Sequence, residues 1–296
     1  MTESARIVYG PADVSSSPLE TRHVTATTLD AAEVVVPTSR EEAIAAFGDG
    51  AGVTVFGGGT ILMPEINYGR LRPQRALLLH RAGLAGIRRD GAKLTIGATT
   101  PLSELERAPE PLATMARHVA DQEIRAHATL AGNLCAPPGR EQPRGDLQGA
   151  LVALDAQVRS VGSDGARTEP VDDFLAGGAG RLVLEVELEE PRRAGHASVR
   201  RPHAHSYTIL AVCVAETTSG IRVGVTGAGP RGVRARGVEA ALAGGASPAD
   251  AAAHATDDVE SRDDALASAW YRQRMLPVLV RRALENMTMN PGGESR

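Results

Sequence analysis

A strand that runs into three consecutive glycines is the feature that most restricts how this chain can fold. The β-branched run at 53–55 predicts a buried strand, and Gly57, Gly58 and Gly59 follow it directly before Thr60. Glycine has no Cβ, so such a turn can adopt positive φ angles and approach a ligand closely. Its backbone N–H groups suit an anion, which predicts a cradle for a pyrophosphate. Three glycines after a strand are also typical of an ordinary tight turn, so the motif needs context.

A second segment of small residues supplies that context further along the chain. The run 124–134 places a second small-residue turn at 129–133, directly after a polar stretch. Two such loops in one chain can close on the two ends of one dinucleotide.

With both loops in view, the chain resembles the FAD-binding medium subunits of molybdenum hydroxylases, the family of carbon monoxide, xanthine and nicotine dehydrogenases. The first loop of that family reads Gly-Gly-(Gly/Thr/His)-(Thr/Ser), which residues 57–60 follow. The second reads Ile-Arg-Asn-x-Ala-Thr-Ile-Gly-Gly-Asn, which residues 124–133 follow with substitutions, among them Ala131 for a glycine. The resemblance continues through Asp146 and covers residues 34–284, nearly the whole chain.

The resemblance implies an α+β fold, in which a two-subdomain FAD-binding domain of the PCMH type precedes a smaller C-terminal α+β domain with an antiparallel sheet plus helices. The predicted domains are an N-terminal extension at 1–32, FAD-binding subdomains at 33–85 and 86–195, and the C-terminal domain at 196–296.

Local patterns predict the main elements. Ser39 and Glu42 form a capping box for a helix through Phe47, and Asp90-Gly91 predicts a hairpin with a type I′ turn. Thr100 and Pro101 predict the N-cap and first position of a helix. Further strands are expected at 34–36, 76–80, 156–161, 181–188, 207–215 and 221–226, and further helices at 112–119, 147–153, 236–242 and 265–285.

The resemblance also implies which residues hold the cofactor. The first loop would hold the pyrophosphate, the second loop would close over it, Asp146 would hydrogen-bond the flavin's polyol or nearby backbone, and the strand at 182–183 would lie against the isoalloxazine ring. Where the family often has a lysine near the flavin, this chain has Arg200 and Arg201. The predicted cofactor-binding residues are Phe56, Gly57, Gly58, Gly59, Thr60, Ile61, Thr129, Gly132, Asn133, Asp146, Leu182 and Val183. No catalytic residue or metal ligand is predicted on this chain.

Composition limits the class of protein. The 296 residues suffice for two or three domains of about 100 to 200 residues, and the net charge of −4 with scattered arginines does not favour a nucleic-acid partner. The cysteines are Cys135 and Cys213, whereas a [2Fe–2S] cluster takes four thiolates, so such a cluster is expected on another chain. Two isolated cysteines and the lack of an apolar run of about 20 residues predict a cytoplasmic protein without a membrane span.

Several other patterns have simpler interpretations. The Gly-x-Gly-x-x-Gly run at 227–232 is predicted to be the turn between a strand and a helix, because no second strand of a βαβ unit follows it. His203 and His205 lack a third metal ligand, and Cys135 is expected to be a small apolar filler. Trp270 and Tyr271 are expected to pack against the C-terminal sheet.

The function implied by the resemblance is that of an FAD-carrying electron-transfer subunit of a heterotrimeric molybdenum hydroxylase. Its partners would be a large subunit with the molybdopterin cofactor, a small subunit with [2Fe–2S] clusters, and an electron acceptor such as NAD, a quinone or another carrier. Two alternatives stay open. One is a stand-alone FAD-dependent oxidase of the same fold, although no histidine lies between Arg40 and Leu79 to tether the flavin. The other is a flavin-free scaffold subunit.

Overall fold

Three β-sheets organise the part of the chain that the computed structural model describes, which is residues 33–137, 145–201 and 208–289. The predicted extension at 1–32, most of the proline-rich loop before Asp146, and His203 with His205 lie outside the described residues. The described residues belong to one compact unit.

The first sheet is parallel, in the order β1-β3-β2. Its strands are β1 (Glu33–Val35), β2 (Val53–Phe56) and β3 (Arg75–Leu78). The predicted strand at 76–80 ends two residues early, because Leu79–Arg81 forms a 3-10 helix. The second and third sheets are antiparallel, in the orders β4-β5-β8-β6-β7 and β12-β11-β10-β9-β13. Their strands are β4 (Ile87–Asp90), β5 (Lys93–Gly97), β6 (Gln157–Gly162), β7 (Gly165–Pro170), β8 (Leu182–Glu189), β9 (Arg193–Arg200), β10 (Thr208–Thr217), β11 (Gly220–Thr226), β12 (Val233–Arg234) and β13 (Thr288–Met289).

Short helices connect these strands, and one long helix covers the third sheet. They are α1 (Arg40–Phe47), α2 (Leu62–Asn67), α3 (Leu102–Leu105), α4 (Leu112–Arg117), α5 (Gln122–His127), α6 (Leu130–Leu134), α7 (Gln148–Ala153), α8 (Val171–Gly177), α9 (Arg236–Ala243), α10 (Pro248–Ala251) and α11 (Ala269–Glu285). The predicted α+β fold, with an antiparallel sheet and helices in its C-terminal part, is thus confirmed. β9 starts at Arg193, three residues before the predicted start of the C-terminal domain, and the domain boundaries themselves stay a prediction.

The predicted capping box and hairpin turn differ from the structure in detail. Ser39 does cap α1, since its hydroxyl accepts from the Glu42 N–H at 3.1 Å, but the Glu42 carboxylate turns to the backbone and hydroxyl of Thr38 instead of closing the box on Ser39. In the β4–β5 hairpin, Asp90 pairs with Lys93, so the loop is Gly91 and Ala92. Only Gly91 has positive φ, at 58°, which is the φ pattern of a type II′ turn and not of type I′.

The helix predicted to begin with Thr100 as its N-cap has Pro101 in that position. The Thr100 hydroxyl is used elsewhere, because it accepts from the Gly86 N–H at 3.0 Å. The predicted packing of Trp270 against the C-terminal sheet is wrong, since this side chain is 68% exposed on the outer side of α11.

Strand β10 joins the two hydrophobic cores. Its side chains alternate between the faces of the sheet, as the period of two in a strand requires, and both faces are buried. Ala211, Cys213 and Ala215 belong to the core of the FAD-binding part, whereas the alternate positions belong to the core beneath α11. Every residue of α7 is buried against this sheet. Because α7 begins two residues after Asp146, its packing fixes where that carboxylate lies.

A buried carboxylate ties the first sheet's helix to the second sheet. Glu185 on β8 accepts from Arg40 of α1 at 2.6 Å, from Arg88 at 3.2 Å and from Arg159 at 3.1 Å. Burial alone would raise the pKa of Glu185, but the three guanidinium groups outweigh burial and lower it. The two sheets are therefore joined by charge as well as by apolar packing.

Candidate cofactor site

The two loops singled out from the sequence meet at one cavity of about 520 Å³, a size typical of small-molecule and cofactor sites. The predicted site residues that line it are Gly57, Gly58, Gly59, Thr60, Ile61, Thr129, Gly132, Asn133, Asp146, Leu182 and Val183. Phe56, the last residue of β2, is not among the described residues that line the cavity. The first loop leaves the carboxyl end of a parallel strand, which is where open sheets of this kind bind ligands.

The glycines of the first loop are needed mainly because the second segment presses against them. A Cβ at position 58 would lie 1.7 Å from the carbonyl oxygen of His127, and one at position 57 would lie 2.4 Å from the hydroxyl of Thr129. Only Gly59 has positive φ, at 72°. Of the three glycines, only Gly59 therefore needs its conformational freedom, whereas Gly57 and Gly58 are required by close packing against the second segment.

Backbone donors of the first loop are left for a ligand. Among the described residues, the N–H groups of Gly58, Gly59 and Thr60 have no hydrogen-bond acceptor. The loop is held instead through an acceptor, since the Gly59 carbonyl accepts from the Met63 N–H at 2.8 Å. A row of unpaired backbone donors beside a cavity is the arrangement that binds an anion through fixed dipoles.

The second segment is a short helix and not the predicted turn. α6 begins after Thr129, whose hydroxyl accepts from the Gly132 N–H at 3.2 Å and so caps the helix. Asn133 is buried, and its side-chain oxygen accepts from the Leu147 N–H at 2.9 Å. Thr129, Gly132 and Asn133 therefore shape the cavity wall through bonds within the protein, and Asn133 links this wall to the start of α7.

Asp146 places a carboxylate at the cavity, next to the third sheet. Burial raises its pKa to about 6, although the hydroxyl of Thr208 and the guanidinium of Arg200 act in the opposite direction. Of the two arginines that stand in place of the family lysine, Arg200 is thus the one close enough to influence this carboxylate. Arg201 is exposed.

The start of β8 forms an apolar wall of the cavity. Leu182 and Val183 are almost completely buried and line the cavity together with Val55, Leu79 and Ala98. Such a wall suits a flat aromatic ring, because ring and aliphatic side chains leave water together.

One part of the cavity wall was not anticipated from the sequence. Val119, Ala120 and Asp121, in the bend between α4 and α5, also line the cavity. Asp121 could be recognised as the N-cap of α5, since its side chain accepts from the Ile124 N–H at 2.8 Å. No local pattern shows that its neighbours face a ligand, because that depends on how distant segments pack.

The second glycine run, metal binding and membrane spans can also be compared with the structure. The run 227–232 is a turn, as predicted, but it connects the antiparallel strands β11 and β12. The prediction that a helix follows it directly is wrong, because the two-residue strand β12 precedes α9. Within the described ranges, no group of three or more His, Cys, Asp or Glu side chains is arranged to hold a metal ion. In the same ranges, no helix is both long enough and apolar enough to cross a membrane.

An anion cradle, an apolar wall and a polar carboxylate around one cavity fit a flavin dinucleotide, and comparison with known proteins agrees. Residues 29–188 match the family described as the FAD binding domain in molybdopterin dehydrogenase, and residues 193–287 match the CO dehydrogenase flavoprotein C-terminal domain.

Characterised relatives match over most of their length. The chain is 28% identical to the carbon monoxide dehydrogenase medium chain of Hydrogenophaga pseudoflava, over 85% of this chain and 95% of that one. It is 24% identical to the glyceraldehyde dehydrogenase medium chain of Sulfolobus acidocaldarius, over 78% of this chain and 89% of that one. A solved structure of carbon monoxide dehydrogenase from H. pseudoflava superposes with a TM-score of 0.75 at 27% identity, covering 86% of this chain and 96% of that one. The chain therefore belongs to the family of FAD-binding medium subunits of molybdopterin-dependent oxidoreductases, and its cofactor is FAD.

Proposed function

We propose that this chain is the electron-transfer subunit of a heterotrimeric molybdenum hydroxylase. In this proposal a large partner subunit oxidises the organic substrate at its molybdopterin cofactor, and a small partner subunit carries the [2Fe–2S] clusters. Electrons leave the complex from this chain to an external acceptor, either NAD, a quinone or another carrier. The medium-chain relatives support this division of labour.

The observation that carries the proposal is the single cavity in which backbone donors and an apolar wall face the same ligand. Bound FAD supplies the exchange between one-electron and two-electron carriers. The N–H groups of Gly58, Gly59 and Thr60 would hold its pyrophosphate. Leu182 and Val183 would lie against the flavin ring and keep water from it.

The remaining site residues have roles that follow from their contacts. Asp146 would accept a hydrogen bond from a hydroxyl of the flavin's polyol when ionised. Thr129 and Asn133 would act as supports, because their side chains already bond to the Gly132 and Leu147 N–H groups. Gly57 would allow Thr129 to stay in place, since a side chain at position 57 would displace its hydroxyl.

Cysteine content is the second support for separate subunits. Of the two cysteines, Cys213 is buried in β10 and Cys135 lies at the cavity, so they are placed in different parts of the protein. A [2Fe–2S] cluster needs four thiolates held together. The electrons would therefore come from clusters on another chain.

The proposal is tested by isolating the chain under mild conditions from cells that express it with its neighbouring reading frames. We expect flavin absorption at about 450 nm, together with stoichiometric chains that contain molybdenum and iron. A protein that carries flavin but purifies alone would favour the stand-alone oxidase. A chain that purifies in the complex without flavin would favour the scaffold subunit.

A further inference from the structure

Gln148, the first residue of α7, connects two segments that are far apart in the sequence. Its side chain is 3% exposed, and both ends of its amide are hydrogen-bonded. The Nε2 donates to the Leu134 carbonyl oxygen at 2.8 Å, and the Oε1 accepts from the Gly232 N–H at 2.6 Å. Because buried polar groups need such partners, the amide is held in place while it joins α6 to the turn between β11 and β12.

The short helix α6 depends on contacts of this kind. A helix of five residues forms too few internal hydrogen bonds to be stable alone, and the carbonyls at its end lack partners within it. Thr129 caps its start, and Gln148 supplies a donor for the carbonyl of its last residue, Leu134. The neighbours of Leu134 on both sides, Asn133 and Cys135, line the cavity. Gln148 is not among the described residues that line it, so it supports this wall from outside the cavity.

Glycines make room for the amide on both sides. A Cβ at Gly145 would lie 2.3 Å from the Nε2 of Gln148, and a Cβ at Gly232 would lie 2.5 Å from its Cβ. The last glycine of the Gly-x-Gly-x-x-Gly run is thus required by α7. Side chains added at the other two glycines of that run would instead meet the carbonyl oxygens of Ile209 and Glu260. The turn therefore meets the start of α7 at its last glycine.

We infer that Gln148 is a positioning residue of the FAD site, through which the turn at 227–232 holds the wall formed by α6. No residue of this turn is among the described residues that line the cavity, so the turn acts on the cofactor through the amide. Asp146 lies two residues before Gln148, and the same two hydrogen bonds limit how far its carboxylate can move. This inference rests on FAD binding in the same cavity, as the proposed function requires.

The test compares Gln148→Met with Thr226→Val. The Thr226 hydroxyl accepts from the Gly149 N–H at 2.7 Å, so it also joins α7 to the third sheet, but this bond does not involve α6. Both variants should unfold at a lower urea concentration than the unmodified chain. FAD should bind to folded Gln148→Met about tenfold more weakly, the equivalent of one lost hydrogen bond. The FAD affinity of Thr226→Val should change by less than about twofold.

Gln148→Glu adds a readout that loss of packing does not produce. A protonated carboxyl donates and accepts as an amide does, whereas a carboxylate only accepts, and burial favours the protonated form. We expect the FAD affinity of Gln148→Glu to equal that of the unmodified chain at about pH 5 and to be about tenfold lower at about pH 8. Asp146 titrates at about pH 6 in both chains, so the comparison at equal pH removes its effect. This variant also decides the outcome if Gln148→Met does not fold.

Gly232→Ala and Gly229→Ala test the contribution of the turn. The first substitution pushes against Gln148 and should weaken FAD binding at least about threefold, whereas the second should leave it unchanged. Normal FAD affinity of folded Gln148→Met, an equal loss in Thr226→Val, or an affinity ratio for Gln148→Glu that does not vary with pH overturns the inference. If the unmodified chain itself binds no FAD, the proposed function fails, and this inference fails with it.

Discussion

The loop at 57–60 and the loop at 227–232 contain similar glycine runs, yet of these two only the first lines the cofactor cavity. Both pack tightly against other backbone. A Cβ at Gly58 would lie 1.7 Å from the His127 carbonyl oxygen, and a Cβ at Gly227 would lie 2.4 Å from that of Ile209. The two loops differ in whether their backbone N–H groups are already hydrogen-bonded. The Gly232 N–H donates to the Gln148 side chain at 2.6 Å, whereas the N–H groups of Gly58, Gly59 and Thr60 have no acceptor among the described residues. A glycine run thus indicates close backbone packing, whereas backbone N–H groups without an acceptor beside a cavity indicate a ligand site.

The largest effect is expected from Gly58→Val. The new side chain would collide with the His127 carbonyl and separate the two segments that form the cavity. We expect FAD affinity to fall by at least about 100-fold. The third sheet should stay folded, which hydrogen exchange of the β10 amides would check. Retention of normal flavin content would show that the first loop is not the cradle.

Gly227→Val should have the opposite effect, a loss of stability with FAD affinity unchanged. The position has φ of 84° and abuts the Ile209 carbonyl, so a branched side chain is strained there. We expect a loss of about 2 to 4 kcal/mol in the free energy of unfolding, measured by urea denaturation. The fraction that stays folded should bind FAD with normal affinity. A selective loss of FAD by folded protein would assign a cofactor role to the second loop and break the comparison.

A smaller, pH-dependent effect on stability is expected from Asp146, which lines the cofactor cavity. In the cofactor-free protein its pKa of about 6 lies above the ordinary value of 3.8, mainly because of burial. The folded chain therefore keeps a proton that the unfolded chain has lost between those values. The contribution of Asp146 to stability is greatest below about pH 4 and is lost as the pH rises through about 6.

Asp146→Asn should remove that dependence and stabilise the cofactor-free protein at pH 7 by on the order of 1 kcal/mol, since solvent in the cavity screens the charge. Urea denaturation at pH 4 and pH 7 measures this, with the exposed Asp173→Asn as the matched control. An identical pH dependence in Asp146→Asn and the unmodified chain would contradict the assignment of the shift to Asp146.

The smallest effect is expected from Gly229→Ala. A Cβ there would lie 3.1 Å from the Glu260 carbonyl oxygen, so a shift of a few tenths of an ångström accommodates it. We expect less than about 1 kcal/mol of lost stability and unchanged flavin content by absorption. Loss of flavin without unfolding would show that this loop contributes to dinucleotide binding.

Local rules predicted much of the fold, and the resemblance predicted the region of the site. The strand before Gly57, the Ser39 cap and the hairpin at Gly91 depend on neighbouring residues, so the sequence contains their causes. The reason for glycine at position 58 is different, because it depends on His127, which only the folded chain brings near.

Contacts between distant segments also explain one wrong prediction, that for Trp270, and one omission, the bend at Ala120. Trp270 looks like a core residue by type, but its exposure depends on which face of α11 meets the third sheet. The bend at Ala120 lines the cavity, and Arg125 of the following helix donates to its Ala120 carbonyl, a contact that forms only in the folded chain. Packing between elements decides both outcomes.

The most direct test of the proposed electron-transfer role is steady-state turnover by the isolated, FAD-loaded chain. Carbon monoxide, aldehydes and N-heterocycles are offered with an artificial electron acceptor, and dithionite reduction confirms that the flavin is competent. We predict no turnover by this chain alone, and turnover of one of these substrate classes once the molybdenum and iron–sulfur subunits are added. Turnover of any of them by the isolated chain would contradict the account and favour a stand-alone oxidase.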